Sequence, residues 1–370
     1  MIIATYYYHL LSLLLRLSRR YKLHSLDSAF LDKILLSSAS ASTLRELGAF
    51  QGRQELFKRQ APEVLLDLVK AAIIESSESS NRLEGVTAPR ERIAALVLKP
   101  AEPRNRSEQE IAGYRDSLNL IHESAMEMAL TVNVMLQLHS MLYRYHPGGG
   151  GRFKMTQNEI IERSHDGSIR VRFTPVTPVA TSGAMEELAR RYAAAADSQR
   201  EPLVLIPLTV LDFLCIHPFT DGNGRVGRLI TLMLLYHSGH DVGRYISLER
   251  VIEESKETYY EALEASSRGW HSAAHDPLPW MSYFWGVVLR AYREFEKRVG
   301  TIRGGRGGKT EMVEAAVARR LRPFGIADIE AECPGVSREM VRHVLRGLRA
   351  DGRLELRGQG RGAQWVPLDG

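Results

Sequence analysis

At 370 residues, 44% of them hydrophobic and 25% charged, the chain is too long for one ordinary domain and too globular in composition for a fibrous repeat or wholesale disorder. Two cysteines, Cys215 and Cys333, exclude a disulfide scaffold or a four-thiolate zinc site and fit a reducing compartment. The net charge of +5 is concentrated at the C-terminus, where residues 301–370 hold 13 Lys and Arg against 9 Asp and Glu, an asymmetry that points to nucleic acid as a partner there.

Residues 1–30 read as an N-terminal extension. The apolar run from Met1 to Leu15 falls short of the ~20 residues a helix needs to cross ~30 Å of hydrocarbon. Arg16, Arg19 and Arg20 follow that run instead of preceding it, and no small-residue cleavage site accompanies it. It is therefore expected to be an amphipathic helix or a start-site extension and not a signal peptide. The protein is expected to be cytoplasmic, with no membrane partner.

Residues 31–105 form an N-terminal helical region, with apolar residues at helical spacing from Leu31 to Leu98, Pro62 where a helix begins, and a connection around Pro100 and Pro103. Residues 106–300 form the next unit. Helical spacing resumes from Glu108 to Tyr145, and Gly148–Gly151 make a hinge. Residues 158–173 then read as a β-hairpin turning at Asp166-Gly167. In its second strand Ile169, Val171 and Phe173 alternate with Arg170 and Arg172, giving one apolar face. Helical patterns return over Ala184–Ala195, Pro207–Ile216, where Pro207 reads as the helix start, and Gly224–Ser238.

The glycines of residues 301–308 suggest a flexible linker. Residues 309–370 follow as a helix, a helix–turn–helix pivoting on Pro334-Gly335, and two short strands around a Gly-rich tip, the layout of a winged-helix DNA-binding domain. Ser337 suits the N-cap of the last helix, and Arg338, Arg342, Arg346 and Arg349 fall on one face of it.

The chemistry is concentrated in residues 217–228, His-Pro-Phe-Thr-Asp-Gly-Asn-Gly-Arg-Val-Gly-Arg, followed by an apolar helix. Gly222 and Gly224 allow a tight turn and a close approach to a ligand, and the helix behind them offers free N–H groups to an anion. Arg225 and Arg228 share a helix face and suit phosphate oxygens. Asp221 is a hard oxygen ligand placed for Mg²⁺. His217 is the one side chain here that serves as a base near neutral pH, and Phe219 anchors the loop. Gly222, Gly224 and Gly227 also spell GxGxxG, with Glu249 downstream, but no strand precedes the loop, so a dinucleotide fold is set aside. No Gly-Lys-Ser/Thr occurs at phosphate-loop spacing.

This segment resembles the signature of Fic-domain nucleotidyltransferases, HxFx(D/E)GNGRxxR, at every fixed position, and the wider likeness spans roughly residues 70–300. The resemblance implies a mainly α fold: a Fic-type helical core over 106–300 with a β-hairpin flap, joined to the winged helix-turn-helix unit. It implies transfer of AMP from ATP to a Ser, Thr or Tyr hydroxyl of a target protein, and of the protein itself. In that scheme His217 is the general base and Asp221 binds Mg²⁺. Gly222, Asn223 and Gly224 form the anion hole, Arg225 holds the β-phosphate and Arg228 the γ-phosphate. Residues 158–173 would be the flap along which the target segment aligns by main-chain hydrogen bonds. Tyr259 and Tyr260 resemble the family's tyrosine pair near adenine, although Ser267 stands where relatives often have Asn.

Upstream, Ser80-Asn81-Arg82-Leu83-Glu84-Gly85 fits the family's inhibitory motif (S/T)xxxE(G/N). The resemblance implies that Glu84, supported by the hydroxyl of Ser80 or its neighbour Ser79, pairs with Arg228 and blocks the γ-phosphate. Three alternatives stay open: removal of AMP with Glu84 positioning water, a DNA-binding regulator whose site only senses ATP, and transfer of UMP or phosphocholine. Self-association is open as well.

Overall fold

The computed structural model describes residues 22–60, 62–98, 101–163, 168–303, 308–318, 320, 323–333, 336–358 and 363–368. The apolar run at 1–15, the Asp166-Gly167 turn, Pro334-Gly335 and the Gly-rich tip at 359–362 lie outside them. Helices dominate. The N-terminal half carries Ser28–Leu31 (α1), Ser38–Gln60 (α2), Pro62–Leu83 (α3), Arg90–Leu98 (α4), Arg106–Ser124 (α5) and Val132–Leu142 (α6). Pro62 opens α3, as its fixed φ and missing N–H suit a first turn. The pattern running from Glu108 to Tyr145 divides in two because the Thr131 hydroxyl accepts from the Val134 N–H and starts α6 afresh.

The hairpin consists of Ile160–Arg163 (β1) paired antiparallel with Ile169–Phe173 (β2), Ile161 lying opposite Val171. Ile161, Ile169 and Val171 are exposed, while Phe173, at the end of the expected apolar face, packs against the core. Arg172, 14% exposed, also turns inward, pairing with Glu264 and donating through Nη2 to the Tyr260 carbonyl at 2.6 Å, while Arg170, 58% exposed, reaches the same carboxylate from the surface. A remote carboxylate thus fixes where the two arginines of β2 lie, and alternation alone does not set its burial.

Beyond the hairpin come Pro178–Asp197 (α7), Pro202–Ile216 (α8), Asn223–His237 (α9), Leu248–Glu253 (α10), Lys256–Ser267 (α11) and Leu278–Arg303 (α12). α8 is buried on every side from Leu205 to Ile216, so it is the central helix of the bundle. It starts at Pro202, capped by the Glu201 side chain, and not at Pro207, which lies inside it. A proline in a helix orphans the carbonyl four residues earlier. Here that carbonyl, of Leu203, accepts the Trp285 indole N–H at 2.7 Å, and the Pro207 carbonyl accepts the Trp280 indole N–H at 2.7 Å. The indoles of α12 thus make the internal proline tolerable.

One apolar core runs from Leu23 to Val299 across these helices. α12 continues to Arg303 and the next helix starts at Gly308; residues 304–307 of the expected linker lie outside the described residues. Gly308–Ala318 (α13), Ile326–Glu332 (α14), Arg338–Ala350 (α15) and the antiparallel strands Leu354–Arg357 (β3) and Gln364–Pro367 (β4) surround a second, separate core that includes Val313, Ile329, Leu345 and Trp365. Ser337 caps α15 through a bond from the Met340 N–H. Val341, Val344, Leu345 and Leu348 face that core while Arg338, Arg342, Arg346 and Arg349 are exposed. No helix among the described residues is long and apolar enough to cross a membrane.

Candidate active site

α8 delivers His217 at its C-cap in the left-handed region, φ 51° and ψ 61°. That conformation costs a non-glycine residue about 1–3 kcal/mol and persists only where the surroundings impose it. The His217 N–H donates to the Phe213 carbonyl at 2.9 Å, and Nδ1 lies 3.2 Å from the Leu214 carbonyl. A carbonyl only accepts, so Nδ1 carries the proton and the Nε2 lone pair is left for chemistry. Burial, reinforced by the positive charge of Lys154, holds the imidazole down to about 4, so it is neutral at physiological pH.

The loop after His217 is closed by its own side chains. Phe219 is fully buried and stacks on His139, ring centroids 3.8 Å apart. Asn223 bonds the Phe219 main chain twice, Oδ1 accepting at 2.9 Å and Nδ2 donating at 2.8 Å, so its side chain shapes the loop and leaves its backbone N–H for an anion. Gly222 starts α9 at φ 81°, where a Cβ would come within 2.9 Å of Leu142. His139 fixes the loop from beneath, its Nδ1 accepting the Gly151 N–H at 2.8 Å and its Nε2 donating to the Asp221 carbonyl at 3.2 Å.

The Asp221 side chain is 56% exposed, with Oδ1 accepting the Gly222 N–H at 2.6 Å and Oδ2 3.7 Å from Arg225. Among the described residues no cluster of three or more His, Cys, Asp or Glu could enclose a metal. One exposed carboxylate fits Mg²⁺ held jointly with substrate phosphates, the usual mode for that ion.

Both arginines of the motif face the C-terminal turn of α3, as their spacing requires. Arg225 is enclosed, 1% exposed, pairing with Glu110 at 2.5 Å and donating to Asn81 at 3.3 Å and the Tyr143 hydroxyl at 2.9 Å. It lies behind the loop and not beside Arg228 on an open face. Arg228 donates through Nε to the Ser80 hydroxyl at 2.9 Å, and through Nη2 to the Ser80 carbonyl and Glu84 Oε1, each at 2.8 Å. Ser80, not Ser79, makes this contact. Gly85, at φ 79°, ends α3 and lets the chain turn away while Glu84 stays pointed at the motif. The Glu84 carboxylate sits so close to Gly224 that a Cβ there would be 2.2 Å from Oε1. A carboxylate therefore occupies the N-terminal turn of α9, where the helix dipole and free N–H groups favour an anion.

A cavity of about 220 Å³ joins these groups, lined by Glu84, His217, Gly224, Arg228, Tyr259 and Tyr260, with Ile160 and Phe173 of the hairpin at its mouth and Ser267 on its wall. Arg225, Asp221 and Asn223 are not on that wall. Tyr259 is buried and packs edge-on against Tyr260, Trp280 and Tyr283, so it is as much core as lining. Glu249 takes no part: it is buried, accepting from the Tyr114 and Ser76 hydroxyls, each at 2.7 Å. Residue patterns do not flag Glu110, Tyr143, Lys154 or Asn158. Arg106 and Glu110 have the spacing of a surface helix pair, while Lys154 follows a Gly-rich run and reads as solvated.

Residues 129–235 match the Fic/DOC family profile. The chain is similar to a protein adenylyltransferase Fic of Nematostella vectensis, 25% identical over 264 residues, or 67% of this chain and 52% of that protein. It is also similar to a protein adenylyltransferase Fic of Drosophila ananassae, 26% identical over 162 residues, or 43% of this chain and 29% of that one. It therefore spans about half of the first relative and under a third of the second. In fold it is similar to the crystal structure of a Fic family protein from Desulfovibrio desulfuricans G20, with a TM-score of 0.60, 20% identity, and coverage of 90% of this chain and 97% of that one. The structure of Fic-1 residues 134–508 from C. elegans is similar at a TM-score of 0.55 and 19% identity, covering 72% of this chain and 74% of that one.

Proposed function

We propose, from the match of residues 129–235 to the Fic/DOC family, that the protein is an autoinhibited, Mg²⁺-dependent adenylyltransferase that moves AMP from ATP to a hydroxyl of a target protein and of itself. One observation carries the reading: the Glu84 carboxylate lies against Gly224 and on Arg228, in the same cavity as His217. A phosphate would compete for that place, and a base is ready beside it.

The chemistry follows from the positions. The target hydroxyl oxygen attacks the α-phosphorus of ATP, the bond from that phosphorus to the bridging oxygen breaks, and pyrophosphate leaves. His217 Nε2 takes the hydroxyl proton. The backbone N–H groups of Asn223 and Gly224, joined by that of Gly222 once the Asp221 carboxylate releases it, hold the phosphate oxygens on which charge collects. Arg228 holds the γ-phosphate once Glu84 has withdrawn, and Arg225, locked to Glu110, contributes positive charge from behind the loop. Mg²⁺, bound by Asp221 together with the phosphates, supplies charge neutralisation. The cavity wall around Tyr259 and Tyr260 receives the adenine, and the exposed main chain of the hairpin receives the target segment in strand-addition mode. Incubation with Mg²⁺ and ATP followed by intact-mass analysis is expected to show the addition of one AMP to a fraction of the chain. An unchanged mass for both the wild type and a chain freed of Glu84 would count against the reading.

The exposed arginine row on α15 favours a second function for residues 309–370, as a winged-helix unit that binds duplex DNA. Arg338 is partly engaged by Glu330 at 3.0 Å, so Arg342, Arg346 and Arg349 carry most of the expected contacts. Full-length protein should shift a duplex at low salt, with log Kd changing by roughly 0.9 per phosphate contact for each decade of salt. Arg342→Ala/Arg346→Ala should flatten that slope by about two contacts. Absence of any shift at low salt would make the unit a protein-interaction module.

A further inference from the structure

Lys154 is 3% exposed, an unusual position for a lysine unless it is fully bonded. Its backbone N–H donates to the Pro218 carbonyl at 2.9 Å, and its Nζ donates to the Ile216 carbonyl at 3.2 Å. These are the carbonyls immediately after and immediately before His217. Nζ also donates to Asn158 Oδ1 at 2.8 Å, and Asn158 Nδ2 donates onward to the Phe219 carbonyl at 3.0 Å. One short segment, 154–158, therefore bonds three consecutive non-histidine carbonyls around the strained residue: those of Ile216, Pro218 and Phe219.

We propose that Lys154 is the positioning residue for the base, clamping the peptide groups on both sides of His217 so that the left-handed backbone holds and Nε2 stays aimed into the cavity. The physical argument has two parts. First, Ile216 is the last residue of α8, and a cation at a helix C-terminus satisfies an orphan carbonyl and complements the dipole. Without that bond the carbonyl would lie buried and unpaired, and the His217 conformation would lose one of the contacts that impose it. Second, the same ammonium disfavours a proton on the imidazole, so the base waits in its neutral form. The charges of Glu84 and Asp221 act on His217 in the opposite sense. Burial alone holds the Lys154 ammonium down to about 8, so it remains largely charged at neutral pH. Lys154 does not line the cavity, and its action runs through His217.

This inference rests on the reading of His217 as the base, and the experiment separates the two. AMP transfer is measured as kcat and KM for ATP in a chain carrying Glu84→Gly, alone and with Lys154→Met, Lys154→Arg or His217→Ala, alongside ATP affinity by titration. Lys154→Met keeps the apolar stem and the main-chain bond to Pro218 and removes the ammonium donors to Ile216 and Asn158. It should lower kcat by ~10–100-fold, the scale of a misplaced reacting group, with KM and ATP affinity changed less than about threefold. Lys154→Arg, which keeps cation and donors, should recover most of the turnover. Normal turnover in Lys154→Met, or a loss of ATP affinity that accounts for the lost turnover, overturns the proposal. Should the methionine variant fail to fold, Lys154→Gln is judged by the same split between kcat and KM. If His217→Ala is fully active, the base assignment itself fails; if His217→Ala is dead while Lys154→Met is normal, only the clamp fails.

Discussion

Replacing His217 with alanine is expected to lower AMP transfer by ~10²–10⁴-fold, the ordinary worth of a general base, while ATP binding stays close to normal. The separation is expected because the groups proposed to hold nucleotide are elsewhere. Arg228 is fixed by Ser80, the α9 N-terminus is fixed by Gly222 and Asn223, and none of these bonds involves the imidazole. Alanine also leaves no buried charge behind, since the imidazole is already neutral. The substitution does remove the bond to the Leu214 carbonyl, a helix-terminal acceptor with other routes to satisfaction. Labelled-AMP incorporation and nucleotide titration measure the two effects separately. Unchanged incorporation would take His217 out of the mechanism.

The second large effect is activation. Glu84→Gly should raise AMP transfer by roughly 10–150-fold, because the charge-assisted bond it removes from Arg228 is worth about 1.5–3 kcal/mol. The Glu84 side chain is 27% exposed, which sets the expectation nearer the lower end. Deleting one partner of a buried ion pair ordinarily leaves a costly orphan charge. Arg228 keeps its two bonds to Ser80, so the guanidinium stays in place with one donor site free, and the fold should tolerate the change. The activation should vanish when Arg228 is replaced as well, since the arginine is what Glu84 and the γ-phosphate compete for. The same substitution should abolish any removal of AMP from modified protein, the reaction in which Glu84 would position water. A Glu84→Gly chain no more active than the parent would mean that its carboxylate does not restrain the site.

What residue types reveal about this molecule, and what they hide, follows from where each partner sits. The loop from His217 to Arg228 is legible because its chemistry is local: glycines where the backbone turns, arginines one helical turn apart, an anchoring phenylalanine. The Ser80–Gly85 segment is legible as a motif, but only the packing of α3 on α9 shows that Ser80 supports Arg228. Lys154 is hidden because the main-chain carbonyls it clamps lie 62 or more residues away and leave no mark on composition. Alternation in β2 says which side chains share a face, and Glu264, 94 residues past Arg170, draws both arginines to itself and holds Arg172 half-buried. Pro207 reads as a helix start for the same reason, since the indoles that allow it to sit mid-helix belong to α12. The arginines of the motif share a face as expected, yet Glu110 draws Arg225 behind the loop and leaves Arg228 alone at the cavity.

The indole bonds to α8 also determine what light can report. Of the four tryptophans, Trp280 and Trp285 donate to α8 carbonyls and Trp270 donates to the Asp212 carboxylate on the same helix at 2.6 Å. The fourth, Trp365, lies in the separate core of the C-terminal unit. The intrinsic fluorescence of the chain is thus divided between two places: three emitters bonded to the helix that ends at His217, and one in the arginine-faced unit. Replacing Trp365 with phenylalanine would leave an emission spectrum that reads α8 alone, so nucleotide-linked adjustments of the base-bearing helix could be followed optically without any attached dye.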